Sequence, residues 1–123
     1  MLGNAAGPSS TNLTLNTTSN STFSGAISEA YFGAGSLTKS GSGTLLLTTT
    51  QGVYNGGTII NAGNLAVTKS ACLSPAGVTI NSGALEVAAG YADTTPITFN
   101  GPNAALQIDA NQTYTYNGTI AAA

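Results

Sequence analysis

The segment Ile60-Asn61-x-Gly63-x-Leu65-x-Val67 returns at the same internal spacing as Ile80-Asn81-x-Gly83-x-Leu85-x-Val87. A looser third copy opens at Phe99-Asn100 and, after a short insertion around Pro102, continues as Leu106-x-Ile108. A period of about 20 residues, built from short apolar alternations and Asn/Gly turns, is the signature of a solenoid. One such unit cannot bury its apolar side alone, whereas stacked units share a continuous core.

Within each copy the apolar residues alternate with polar or small ones, as in a strand buried on one face. Leu13-Thr14-Leu15, Leu45-Leu46-Leu47, Val78-Thr79-Ile80 and Ile97-Thr98-Phe99 are further short apolar segments of this kind. Asn and Gly, which tolerate left-handed backbone, separate the runs. Gly recurs too often for a long helix interior, and no apolar stripe has helical spacing. A second recurrence pairs Leu13-x-Leu15 with Gly25-x-Ile27. It returns as Leu45-x-Leu47 with Gly57-x-Ile59, and again as Leu106-x-Ile108 with Gly118-x-Ile120. A β-sandwich also uses short strands, but it has no need of repetition from unit to unit. The expectation is an all-β chain, a right-handed parallel β-solenoid of about five or six coils rising ~4.8 Å per coil.

In that fold Leu13, Leu15, Leu45, Leu47, Ile60, Leu65, Val67, Ile80, Leu85, Val87, Phe99, Leu106 and Ile108 point into the core. Thr14, Thr79, Glu86, Thr98 and Gln107 face water. Asn61, Asn81 and Asn100 recur at one turn and are read as an amide ladder running from coil to coil.

Composition narrows the function. Charged residues are 5% of the chain, against roughly 25% in an ordinary soluble domain. Thr, Ser, Asn and Gly make up 59 of 123 residues, so hydroxyls, amides and backbone must solvate the surface. An apolar content of 41% and a net charge of −2 argue against disorder. Residues 1–123 are expected to form one solenoid segment of a longer repetitive chain, with 1–12 as a frayed end.

Two basic residues leave no electrostatic footprint for nucleic acid or anionic lipid. No apolar run is long enough for a membrane-crossing helix, so direct membrane insertion is not expected. The start, Met1-Leu2-Gly3-Asn4, lacks the basic and apolar regions of a signal peptide, so an extracellular reading expects processing or excision. The single Cys72 cannot form an internal disulfide, and its apolar flanks suggest a buried, inert thiol.

The chain has no histidine, which removes Ser-His-Asp and Cys-His catalysis and the commonest zinc ligand. Two Asp are too few for a calcium-binding nonapeptide roll. Neither a cofactor nor a metal is expected. The carboxylates are Glu29, Glu86, Asp93 and Asp109. Glu86 and Asp109 fall on neighbouring coils and could approach the roughly 5 Å of a retaining glycosidase pair. Lys39 and Lys69 lie on other coils, so a basic partner is missing and no catalytic residue is assigned. Thr-x-Thr occurs at Thr48/Thr50 and Thr113/Thr115 without recurring at each coil, which argues against an ice-binding array.

One long run carries more specific information. It comprises Phe23-Ser24-Gly25-Ala26-Ile27, then Gly35-Ser36-Leu37-Thr38-Lys39-Ser40-Gly41-Ser42-Gly43-Thr44-Leu45, then Tyr54-Asn55-Gly56-Gly57-Thr58-Ile59-Ile60-Asn61-Ala62-Gly63-Asn64-Leu65. In order and spacing it resembles the passenger-associated repeat of bacterial autotransporters. The likeness extends from Thr22 to about Val67, and Tyr114-Thr115-Tyr116-Asn117-Gly118-Thr119-Ile120 resembles the start of another copy. Glu29-Ala30-Tyr31-Phe32 departs from the pattern where a Gly-rich link is usual.

The resemblance implies a right-handed β-helix passenger, exported through a C-terminal β-barrel and serving as an adhesin, aggregation factor or stalk. The expected protein is a non-catalytic structural or adhesive scaffold, extracellular or on a bacterial cell surface. Its expected partners are itself, by end-to-end β-stacking, and a host or cell-surface protein or glycan. A self-assembling filament or matrix subunit and a carbohydrate-active β-helix enzyme are the alternatives.

Overall fold

A computed structural model describes residues 12–25, 27–28, 35–48 and 52–122. Every strand pair among them is parallel. One sheet is ordered β1 (Asn12–Asn16), β4 (Ser36–Ser40), β7 (Thr58–Ile60), β9 (Val78–Ile80), β12 (Ile97–Phe99) and β15 (Ile120–Ala122). The second is ordered β2 (Ser21–Phe23), β5 (Thr44–Leu47), β8 (Asn64–Val67), β10 (Gly83–Val87) and β13 (Ala104–Ile108). The chain passes from one sheet to the other and climbs one strand per pass, giving a β-solenoid of about 5 turns.

A third corner carries two short pairs, β3 (Ile27–Ser28) with β6 (Gly52–Val53) and β11 (Tyr91–Asp93) with β14 (Tyr114–Tyr116). The middle coil has a 3-10 turn there instead, Ser70–Cys72. Cys72 and Leu73 fill the interior at that corner, and the Cys72 thiol donates to the Leu47 carbonyl of the preceding coil at 3.5 Å.

Register builds the core in columns. On the second sheet Leu45, Leu65, Leu85 and Leu106 stack, beside Leu47, Val67, Val87 and Ile108. On the first, Leu37, Thr58, Val78 and Ile97 stack, beside Lys39, Ile60, Ile80 and Phe99. Leu45, Leu47, Ile60, Leu65, Val67, Ile80, Leu85 and Val87 are all buried. Each full burial of such a side chain contributes about 1.5–3 kcal/mol. Tyr54 is also buried, its hydroxyl 2.6 Å from Oγ1 of the inward Thr58.

The end coils depart from this. Leu13, Leu15, Phe99 and Leu106 are half-buried, and Ile108 is 46% exposed rather than a core residue. Among the described residues β13 is the last strand of its sheet, and no strand pairs with it on the far side of Ile108. Leu13 and Leu15 lie on the first strand of theirs, and Phe99 has only Ala122 opposite it on the far side.

The recurrence of Leu13-x-Leu15 at Leu45-x-Leu47 and Leu106-x-Ile108 also proves not to be a coil repeat. Leu13 and Leu15 stack on Leu37 and Lys39, whereas Leu45 and Leu47 belong to the other sheet. The recurrence reproduces the in–out alternation while jumping between sheets.

Gly63 and Gly83 have φ of +67° and +85°, a left-handed conformation that disfavours a side chain. A Cβ on Gly83 would also strike the backbone of Gly63 one coil below. Both constraints explain why the Asn-x-Gly turn repeats. Residues 1–11 of the expected frayed end and Glu29-Ala30-Tyr31-Phe32 fall outside the described residues, while Asn12 opens β1.

Candidate functional site

The outward column of the second sheet reads Thr22, Leu46, Ala66, Glu86, Gln107. Ala66 is short where its neighbours Leu46 and Glu86 are long, so the column dips at its centre. The dip is part of a groove of about 360 Å³ whose lining includes Thr22, Leu46, Ala66, Glu86, Ala88 and Asp109.

Glu86 Oε1 accepts from Gln107 Nε2 at 2.6 Å and from Asn64 Nδ2 at 3.2 Å. Gln107 Nε2 also donates to Asp109 Oδ1 at 3.4 Å. Two carboxylate oxygens bridged by one amide nitrogen lie within about 6 Å of each other, near the separation of a glycosidase pair. The structure therefore brings together the two acids that the spacing paired. Asp93 lies elsewhere, buried beneath tyrosines, and Glu29 is outside the described residues. None of the groove-lining residues is basic.

The amide ladder is present as expected. Asn81 Nδ2 donates to Asn61 Oδ1 at 2.7 Å, and Asn100 Nδ2 donates to Asn81 Oδ1 at 2.7 Å. Both bonds run from an amide N–H to the coil before it, so the ladder has one direction.

Lys39 is the residue whose place the sequence did not reveal. It is fully buried, in register between Leu15 and Ile60 on an inward column. Its Nζ donates to the carbonyls of Ser40 at 2.7 Å, Gly41 at 2.8 Å and, on the next coil, Ala62 at 3.3 Å. The ammonium thus ties two stacked turns together, and desolvation lowers its pKa. The alternation Leu37-x-Lys39 was the available signal. It places position 39 inward whatever the residue's charge.

A tyrosine cluster occupies the third corner. Tyr91 meets Tyr114 edge-on at 5.1 Å, and Tyr116 stacks on Tyr114 at 5.7 Å. The Tyr114 hydroxyl donates to Asp93 Oδ2 at 2.9 Å, while Asp93 Oδ1 accepts from the Thr95 backbone N–H at 2.9 Å. Burial raises the phenol pKa of Tyr54, Tyr91, Tyr114 and Tyr116, and the Asp93 charge adds to the rise at the last three.

An alkaline limit follows. Below about pH 10 the phenols are neutral in both states and their stabilising contribution is complete. Above it the unfolded chain ionises first, so the folded state binds more protons and stability falls as pH rises. Lys39 acts in the opposite sense, since its lowered pKa makes stability rise with pH just below its ordinary value. One lysine opposes four tyrosines. The urea midpoint is expected to drop between about pH 10 and pH 11.5; a midpoint constant over that interval would contradict the burial assigned to these phenols.

Fold and surface together define a parallel β-solenoid with one amide-laddered edge and one grooved polar face. No family model, curated protein or solved structure matches the chain.

Proposed function

We propose that the chain is part of a non-catalytic scaffold, structural or adhesive, displayed outside the cell or on a bacterial surface. It is of the passenger type that its repeat resembles. The observation carrying this reading is the uninterrupted parallel stack from Leu45 through Leu65 and Leu85 to Leu106, with the Asn61–Asn81–Asn100 ladder alongside. Each coil lengthens such a rod by ~4.8 Å without new architecture, which suits a stalk or an extended adhesive surface. Two amide donors already engage Glu86 Oε1, which favours a fixed acceptor over a group that shuttles protons.

Antibodies raised against the whole chain provide the test. They are expected to label intact cells of the source organism. Labelling confined to permeabilised cells would overturn the surface assignment.

A filament or matrix subunit is the second reading, favoured by Ile108 and Ile120. They are the large hydrophobic side chains left exposed among the described residues, at 46% and 54%, and each lies on the last strand of its sheet. Two ends of matching cross-section make a heterologous contact that need not close. The chain is expected to sediment as growing oligomers with rising concentration, and Ile108→Lys with Ile120→Lys should return it to a monomer. Strictly monomeric behaviour of the unaltered chain at about millimolar concentration would contradict end-to-end stacking.

A further inference from the structure

We propose that the groove on the second sheet binds a neutral, hydroxyl-rich glycan laid along the solenoid axis. The inference rests on the adhesive form of the scaffold reading and gives it a ligand class.

The groove reaches from Asn20 just before β2 and Thr22 on β2, past β5 and β8, to Glu86 on β10 and Asp109 just beyond β13. Five adjacent strands span about 19 Å. A sugar unit in an extended glycan is about as long as the rise of one coil, so successive sugars meet successive coils. At about 360 Å³ the groove falls within the size range of small-ligand sites, roughly 300–1,000 Å³.

Its lining suits both faces of a pyranose. Leu46 and Ala88 offer apolar surface for C–H groups, and Ala66, only 1% exposed, closes the base between Leu46 and Glu86. Asn20, Thr22, Thr44, Glu86 and Asp109 supply a polar rim. Gln107 and Asn64 hold Glu86 in place through Oε1, and Gln107 does the same for Asp109 through Oδ1. Among the described residues nothing donates to Glu86 Oε2 or Asp109 Oδ2, so each carboxylate keeps an acceptor for a sugar hydroxyl. Acceptors held in place before binding lose little freedom when a ligand arrives.

Charge sets the selectivity. Two carboxylates with no basic residue in the lining repel uronates and sulfated sugars. A bound cation is disfavoured at Glu86 Oε1, because the N–H groups of Gln107 and Asn64 direct their positive ends at that oxygen.

The test is an NMR titration of the isotope-labelled chain with cellohexaose, mannohexaose and chitohexaose, with hexagalacturonate as the anionic control. At least one neutral hexasaccharide is expected to shift the Thr22, Thr44, Ala66 and Glu86 resonances, and hexagalacturonate to shift none. Ala66→Leu, which fills the floor, should weaken the neutral ligand tenfold or more. Glu86→Gln should weaken it and admit the anionic sugar.

The proposal fails if no neutral probe shifts these residues, if the shifts map elsewhere, or if hexagalacturonate binds equally well. It fails equally if both variants bind like the unaltered chain, if binding requires added calcium, or if the oligosaccharide is shortened during the titration. Thermal melting and surface labelling report separately on the scaffold. An unaltered melt and labelled intact cells without sugar binding would remove the glycan and leave the scaffold. Sugar binding by a chain labelled only after permeabilisation would do the reverse.

Discussion

Leu85→Asp is expected to abolish the cooperative β-structure of the solenoid, whereas Glu86→Gln leaves its melting transition nearly unchanged. The two positions are adjacent in sequence and opposite in environment. Leu85 is fully buried, with Leu65 stacked below and Leu106 above. A carboxylate there meets aliphatic neighbours on both coils, and burying an unpaired charge costs several kcal/mol even after relaxation. A domain whose total stability is about 5–15 kcal/mol has little reserve against that loss.

Glu86 points outward and accepts hydrogen bonds from two amides. A glutamine in its place would retain a carbonyl oxygen for the same donors, so the change should stay within about 0.5 kcal/mol. Circular dichroism melts of both variants make the comparison. Equal loss of β-structure in the two would refute the inward and outward assignment.

The second large effect is expected at Lys39. Lys39→Met keeps the aliphatic stem but leaves the Gly41 and Ala62 carbonyls without their Nζ donor, while the Ser40 carbonyl keeps the Thr17 backbone N–H. Leaving such acceptors unpaired costs about 1–3 kcal/mol, moderated here because Gly41 and Ala62 are only half-buried and water can reach them. Lys39→Glu is worse, because it sets an anion against carbonyl oxygens in a buried site, and a loss of several kcal/mol is expected. Urea midpoints should therefore fall in the order unaltered, Met, Glu. A Met variant more stable than the unaltered chain would mean that desolvating the ammonium outweighs its three hydrogen bonds.

Much of this architecture is legible in the residues alone, for a local reason. Strand alternation and the Asn-x-Gly turn are written within a single coil, and the repeat that carries Ile60 to Ile80 says that coils stack. The inward leucines, the outward Glu86 and the Asn61–Asn81–Asn100 ladder follow from that repeat without any knowledge of the third dimension.

What lies across coils was decided only by the tertiary structure. One column of the first sheet steps from Leu13 through Leu37, Thr58, Val78 and Ile97 to Ile120, and no two of these steps are equally long. Neighbours in space are therefore not at a constant distance in sequence, and the recurrence of Leu13-x-Leu15 at Leu45-x-Leu47 misleads. The alternation sets position 39 inward, but only the stacked coil shows how a buried ammonium is satisfied there, by the Ala62 carbonyl within reach of Nζ. Ile108 keeps the alternation of a core residue but is exposed, because burial needs a strand on each side and β13 has one on only one side. The groove likewise depends on Ala66 falling between Leu46 and Glu86, a coincidence of register across three strands. Alternation is a property of one strand, whereas packing is a property of the strands above and below it, and register alone determines which residues those strands bring together.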